Sequence, residues 1–143
     1  MSARSLIVDS LVTLLKTNLT GAPPYITNVY NNVENKIRFW DEVNDFPWIS
    51  ISAGSEQREY LPGDFKWGFL NITFRLYVKD EDSQSKLEDL LSDIELLLDN
   101  NNNLSYDTNK IITDIRIVNI TTDEGVLVPL GIGEILIQVR YEI

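Results

Sequence analysis

The sequence predicts an α+β domain. In it, two amphipathic helices pack on one face of a four- to five-stranded, mainly antiparallel sheet with a long projecting β-hairpin. Three observations predict this. A helical apolar stripe lies near the N-terminus. A second, leucine-rich stripe lies between Lys79 and Asn103. Three long segments alternate apolar and polar residues: 48–78, 110–120 and 133–143. The length of 143 residues fits one domain, 1–143, which buries about two-thirds of its unfolded surface.

In the first helix, over residues 5–19, Val8, Leu11, Val12, Leu15 and Leu19 recur at helical spacing. Ser2 or Ser5 caps it, Gly21 stops it, and Pro23–Pro24 prevents its continuation. Asp9 interrupts the apolar run, so the segment reads as a helix and not as a signal peptide. Residues 25–47 are rich in Asn and scattered aromatics, with a short strand expected near Ile26–Tyr30. Phe39 and Trp40 read as packing residues.

The hairpin follows from counting. Centring the turn on Pro62 and Gly63 pairs Ile49 with Leu76, Ile51 with Phe74 and Ala53 with Ile72. Directly opposed residues share a face, so these six form one apolar surface. Ser50–Arg75 and Ser52–Thr73 then match polar with polar, which selects this parity. Continued outward, the register sets Glu59 against Lys66. On the other face it sets Glu56–Phe69, Arg58–Trp67 and Tyr60–Phe65. The apolar face changes sides near Gly54, so the tip projects and its aromatics need another surface. Arg58 over Trp67 reads as a cation–π pair. A two-residue Pro–Gly turn twists poorly for a hairpin; a longer loop, or a bulge near Gly54 or Gly68, relieves this.

In the second helix, Leu87, Leu90, Leu91, Ile94, Leu97 and Leu98 lie on one face, and Glu88, Asp89, Asp93 and Glu95 read as its solvated face. Asp82 or Ser83 caps it. In the next strand, Ile111, Ile115 and Ile117 share one side and Ile112, Val118 and Ile120 the other. In the last strand Ile135, Ile137, Val139, Tyr141 and Ile143 alternate with polar neighbours. The connection Thr121–Gly133 reads as a loop exposing Val126, Leu127, Val128 and Leu130.

Composition excludes much chemistry. There is no Cys and no His. Thiol chemistry, disulfides, zinc sites built on those residues and Ser-His-Asp triads are therefore excluded. No apolar run approaches the roughly 20 residues of a membrane span. The net charge of −10 opposes gripping nucleic acid, which needs a basic footprint. Asp80–Asp82 fails the calcium-loop pattern, because Ser85 and Leu91 stand where Gly and Glu are required. Gly131-Ile132-Gly133 is not a phosphate-binding fingerprint. No catalytic, cofactor-binding or metal-binding residue is assigned. The candidate interface residues are Arg58, Tyr60, Phe65, Trp67 and Phe69 on the hairpin, with Val126, Leu127, Val128 and Leu130 in the late loop.

The stretch FPWISISAGSEQREYLPGDFKWGFLNITFRLYVKDEDS, flanked by the two helices and followed by two closing strands, resembles the tail terminator (tail-completion) proteins of long-tailed bacteriophages. The resemblance spans nearly the whole chain. It implies a virion structural protein, assembled in the host cytoplasm, with no enzymatic activity and no cofactor. It also implies a homo-oligomeric, hexameric ring that caps the head-proximal end of the tail tube and stops its polymerisation. That ring docks the head connector while DNA passes through the lumen without specific binding. Alternatives are another head–tail joining or neck protein, or a non-phage binding module acting through its hairpin edge.

Overall fold

A computed structural model describes residues 2–143. In chain order the elements are α1 (Ala3–Asn18), β1 (Val33–Glu34), a 3-10 turn (Trp40–Glu42), β2 (Trp48–Leu61), β3 (Phe65–Lys79), α2 (Ser83–Asp99), β4 (Ser105–Asp107), β5 (Lys110–Thr122) and β6 (Leu130–Glu142). The six strands form one sheet in the order β1-β2-β3-β6-β5-β4. All neighbours are antiparallel except β1 and β2, which pair in parallel. The sheet is thus mixed and larger than the four to five strands expected. The extra members, β1 and β4, span two and three residues, too few to leave an alternation. The strand expected near Ile26–Tyr30 forms instead at Val33–Glu34, and Asn28 makes only an isolated bridge to Thr20.

The hairpin base adopts the counted register, from Trp48 opposite Tyr77 to Ala53 opposite Ile72. Beyond it a bulge sets Gly54 and Ser55 against the single residue Asn71, and pairing resumes with Glu56 opposite Leu70. The Asn71 side-chain amide donates to Ser55 Oγ at 3.0 Å across the irregularity. The turn is a three-residue loop, Pro62–Asp64, closed by the Leu61–Phe65 pair. Gly63 and Asp64 both have positive φ there, +83° and +64°, conformations that Gly and Asp tolerate best. On its far side β3 pairs with β6 from Lys79 out to Trp67. Only the last turn of the hairpin therefore projects beyond the sheet.

Both helices cover the face carrying Ile49, Ile51, Ile72, Phe74, Leu76, Ile135, Ile137 and Val139, all fully buried. The Ser2 hydroxyl caps α1 by accepting from the Ser5 amide at 3.2 Å, and α1 buries Ile7, Val8, Leu11, Leu14 and Leu15. Asp82 caps α2, and all six predicted apolar residues of that helix are buried. Each contributes about 1.5–3 kcal/mol of transfer free energy before entropy is counted.

Gly131 and Gly133 lie in β6, not in a loop, and let α2 approach the sheet. A Cβ at Gly131 would stand 2.7 Å from Val78 Cγ2 and 3.2 Å from the Ser83 carbonyl. In β5 a register shift between Ile112 and Asp114 brings Ile112 to the helix side with Ile115 and Ile117, and a second, between Ile117 and Asn119, sets Ile120 opposite Ile135 on that same side. The expected division of these isoleucines between two faces is thereby corrected, and Ile111 is left exposed.

Asp93 corrects a second expectation. It is buried, and its carboxylate accepts from the Ile26 amide at 3.1 Å and the Thr27 amide at 2.7 Å. This ties the irregular segment after α1 to the middle of α2. Replacing Asp93 with Ala leaves two amides without their acceptor and is expected to cost about 1–3 kcal/mol. A urea unfolding midpoint unchanged from wild type would contradict that role.

Candidate assembly surfaces at the two ends of the sheet

The hairpin tip is built by the bulge. Because β2 gains one residue and β3 does not, Glu59 faces Trp67, Arg58 faces Gly68 and Tyr60 faces Lys66. The expected pairs Arg58–Trp67, Tyr60–Phe65 and Glu56–Phe69 are therefore not formed. On β3, Phe65, Trp67 and Phe69 alternate away from the buried Leu70 and Ile72, toward the face that no helix covers. On β2 the bulge sends Glu56, Arg58 and Tyr60 to the helix side. Trp67 takes its cation from β6, with the Arg140 guanidinium 5.2 Å from the ring centroid. Trp67 and Phe69 are half-buried, whereas Tyr60 and Phe65 are 66% and 56% exposed.

Arg58 has a different task. Its Nε donates to Glu56 Oε2 at 2.8 Å, and the hydroxyl of buried Tyr141 donates to the other Glu56 oxygen. Gly68 makes room for the Tyr141 ring, which would lie 2.7 Å from a Cβ there. The Arg4 guanidinium of α1 meets the Gly54 carbonyl at the bulge itself. Burial alone would raise the Glu56 carboxyl, but the hydrogen bonds from Tyr141 and Arg58 outweigh it and hold the group below its ordinary range. Burial, followed by the bond to Glu56, pushes the Tyr141 phenol up.

The second surface lies at the other end of the strands. The loop after β5 runs from Asp123 to Pro129, and β6 begins at Leu130. Val126, Leu127 and Val128 are exposed, Val126 at 79%, while Leu130 is half-buried. Beside this loop stands the 3-10 turn. Phe39 and Trp40 do not pack as expected; they are exposed, at 68% and 55%. Trp40, Asp41, Val43, Phe46, Lys79, Leu127, Pro129 and Leu130 line a groove of about 520 Å³. The sequence reading missed this side of the site. Its signal was a pair of aromatics in a stretch with neither helical nor alternating periodicity, hence with no element to bury them. The two surfaces are separated by the length of β3 from Trp67 to Lys79, about 40 Å at 3.4 Å per residue.

Among the described residues no group of three or more acidic residues is placed to hold a metal ion, and no helix is long and apolar enough to cross a membrane. Asp80 and Asp82 serve the start of α2, where Asp80 accepts from the Asp82 amide at 2.9 Å.

The domain is α+β and carries exposed apolar residues at both ends of its sheet. Its fold is shared with a chain in the virion of the native gene transfer agent particle. That likeness has a TM-score of 0.63, covers 99% of both chains and comes with 7% sequence identity, so it speaks for the fold alone. The sequence itself is 33% identical over 153 residues to the tail tube terminator protein p142 of Escherichia phage T5, covering 99% of this chain and 95% of that protein. The family described as Bacteriophage Tail Tube Terminator Protein matches residues 1–143. The chain belongs to the bacteriophage tail tube terminator family and is a structural component of the phage tail.

The Glu56 cluster generates a pH prediction. A carboxyl depressed in the folded state adds stability above its ordinary value of 4.5, and that contribution is lost as pH falls through the folded-state value. Unfolding midpoints measured on either side of that value are expected to drop more steeply for wild type than for Glu56→Gln. Parallel pH profiles would contradict the assignment.

Proposed function

We propose that this chain assembles into a hexameric ring at the head-proximal end of the tail tube. There it halts tube polymerisation and presents the docking surface for the head connector. The observation that carries the reading is the pair of dissimilar apolar surfaces at opposite ends of the sheet, on a chain of the terminator family. A subunit with two different sticky ends associates head to tail, and such contacts form a ring when the rotation between neighbours closes. One ring face then meets the tube protein and the other the connector. The net charge of −10 repels phosphate, so duplex DNA passes through the lumen without binding there. The function requires no cofactor, and assembly takes place in the host cytoplasm before the tail joins the head.

The same surfaces support Arg58, Tyr60, Phe65, Trp67, Phe69, Val126, Leu127, Val128 and Leu130 as contacts to partner chains, with one division of labour. Phe65 and Tyr60 are free to touch a partner, whereas Arg58 acts mainly through Glu56. A second reading, a binding module acting through its hairpin edge, draws on β2: among the described residues only Ile49 and Ser50 of that strand carry a partner on the outer side.

Native mass measurement and negative-stain microscopy of the purified chain, with tube protein added in polymerising amounts, discriminate the readings. Six-membered rings and shortened tubes are expected. A stable monomer that leaves tube length unchanged would overturn the proposal in favour of the edge-binding reading. Replacing Phe65 and Trp67 together with Ser is expected to keep a cooperative unfolding transition and weaken assembly. Loss of the transition would mean those rings belong to the core.

A further inference from the structure

The hairpin tip and the late-loop groove differ in shape but match in chemistry. The tip is convex: Tyr60, Leu61 and Phe65 crowd around a three-residue turn and are all exposed. The other surface is concave, and its volume of about 520 Å³ lies in the range that encloses a drug-sized molecule, enough for paired side chains.

Each surface also carries one lysine against an aromatic ring and one exposed aspartate. At the tip, Lys66 Nζ lies 5.5 Å from the Tyr60 centroid, beside Asp64. In the groove, Lys79 Nζ lies 6.0 Å from the Phe46 centroid, near Asp41. Each surface could therefore satisfy the other's charges at the rim while apolar groups fill the centre.

A tip-to-tip contact is the poorer use of the same residues. Two rings at about 150–250 Å² each, with Leu61 beside them, fall short of the roughly 800 Å² per partner of a standard interface. A groove also embraces the flanks of the tip and adds to that area.

We infer that the hairpin tip of one copy seats in the Trp40–Phe46–Leu127–Leu130 groove of a second copy, with Asp64 toward the neighbour's Lys79 and Lys66 toward its Asp41. The occupant of the groove is this chain's own residues Tyr60–Lys66. The inference rests on the ring reading above and names which surface joins subunit to subunit. It leaves the uncovered sheet face and the ring's two rims for other partners.

Two single variants and their mixture test it. Phe65→Asp disables the tip, and Leu127→Asp disables the groove. Both positions are exposed, so thermal midpoints are expected to stay at the wild-type value. If either falls, Tyr60→Asp at the tip and Trp40→Asp in the groove, both at more exposed positions, replace them. Each variant alone is expected to run as a monomer where wild type runs as a ring. The equimolar mixture is expected to give a dimer and nothing larger, because it holds one intact tip and one intact groove that fit each other. Rings retained by either variant, a mixture that stays monomeric, or assembly lost only in the tip variant would each overturn the inference while wild-type rings keep the ring reading intact. A wild-type chain that is monomeric at high concentration would overturn both.

Discussion

One extra residue in β2 controls the hairpin end of this molecule. At Gly54–Ser55 two residues oppose the single Asn71, and every β2 side chain beyond that point changes face relative to β3. Glu56 then points to the helix side, where it receives Tyr141 and Arg58. Without the bulge, Glu56 would lie on the open sheet face and the buried Tyr141 hydroxyl would lose its acceptor. The bulge also frees Tyr60 from pairing with Phe65, so two exposed rings lie on opposite sides of the tip. It is held from three directions: the Asn71–Ser55 hydrogen bond, the Arg4 contact to the Gly54 carbonyl, and continuous β3–β6 pairing alongside it.

The rest of the core fixes the other end. Gly131 and Gly133 bring the start of β6 under α2, and Asp93 ties the segment after α1 to that same helix. The long β3–β6 ladder spans both ends. The tip is therefore positioned by backbone pairing, while the groove lies where the 3-10 turn and the Asp123–Pro129 loop meet the ends of β3 and β6.

Much of this was legible in the sequence because burial leaves periodic marks. The leucine stripe of α2, the alternation of Ile135 to Tyr141 and the polar–polar matches at the hairpin base each required one face to be dry. What was illegible was aperiodic. A bulge adds one residue without changing composition, so parity counting failed past Gly54 and again in β5. Val33–Glu34 and Ser105–Asp107 are too short to alternate. Asp93 looked solvated by residue type alone. Its spacing, three residues after Leu90 and four before Leu97, set it beside the apolar stripe, where a carboxylate must find donors. Of the candidate surfaces, Phe65 and the Val126–Val128 loop were legible as unpaired apolar groups. The Trp40 side of the groove was not, because its partners come from three separated segments.

In the proposed ring, the subunit's contacts run head to tail from hairpin tip to groove. The natural chain has no cysteine, so a designed disulfide reports a single contact. A variant carrying Phe65→Cys and Leu127→Cys, oxidised and run without reductant, should give a ladder of covalent oligomers ending at the closed ring and collapsing to monomer with reductant. Cross-linking also requires the two Cβ atoms to approach within about 4.5 Å. Rings that form while no 65–127 bond appears would contradict the account.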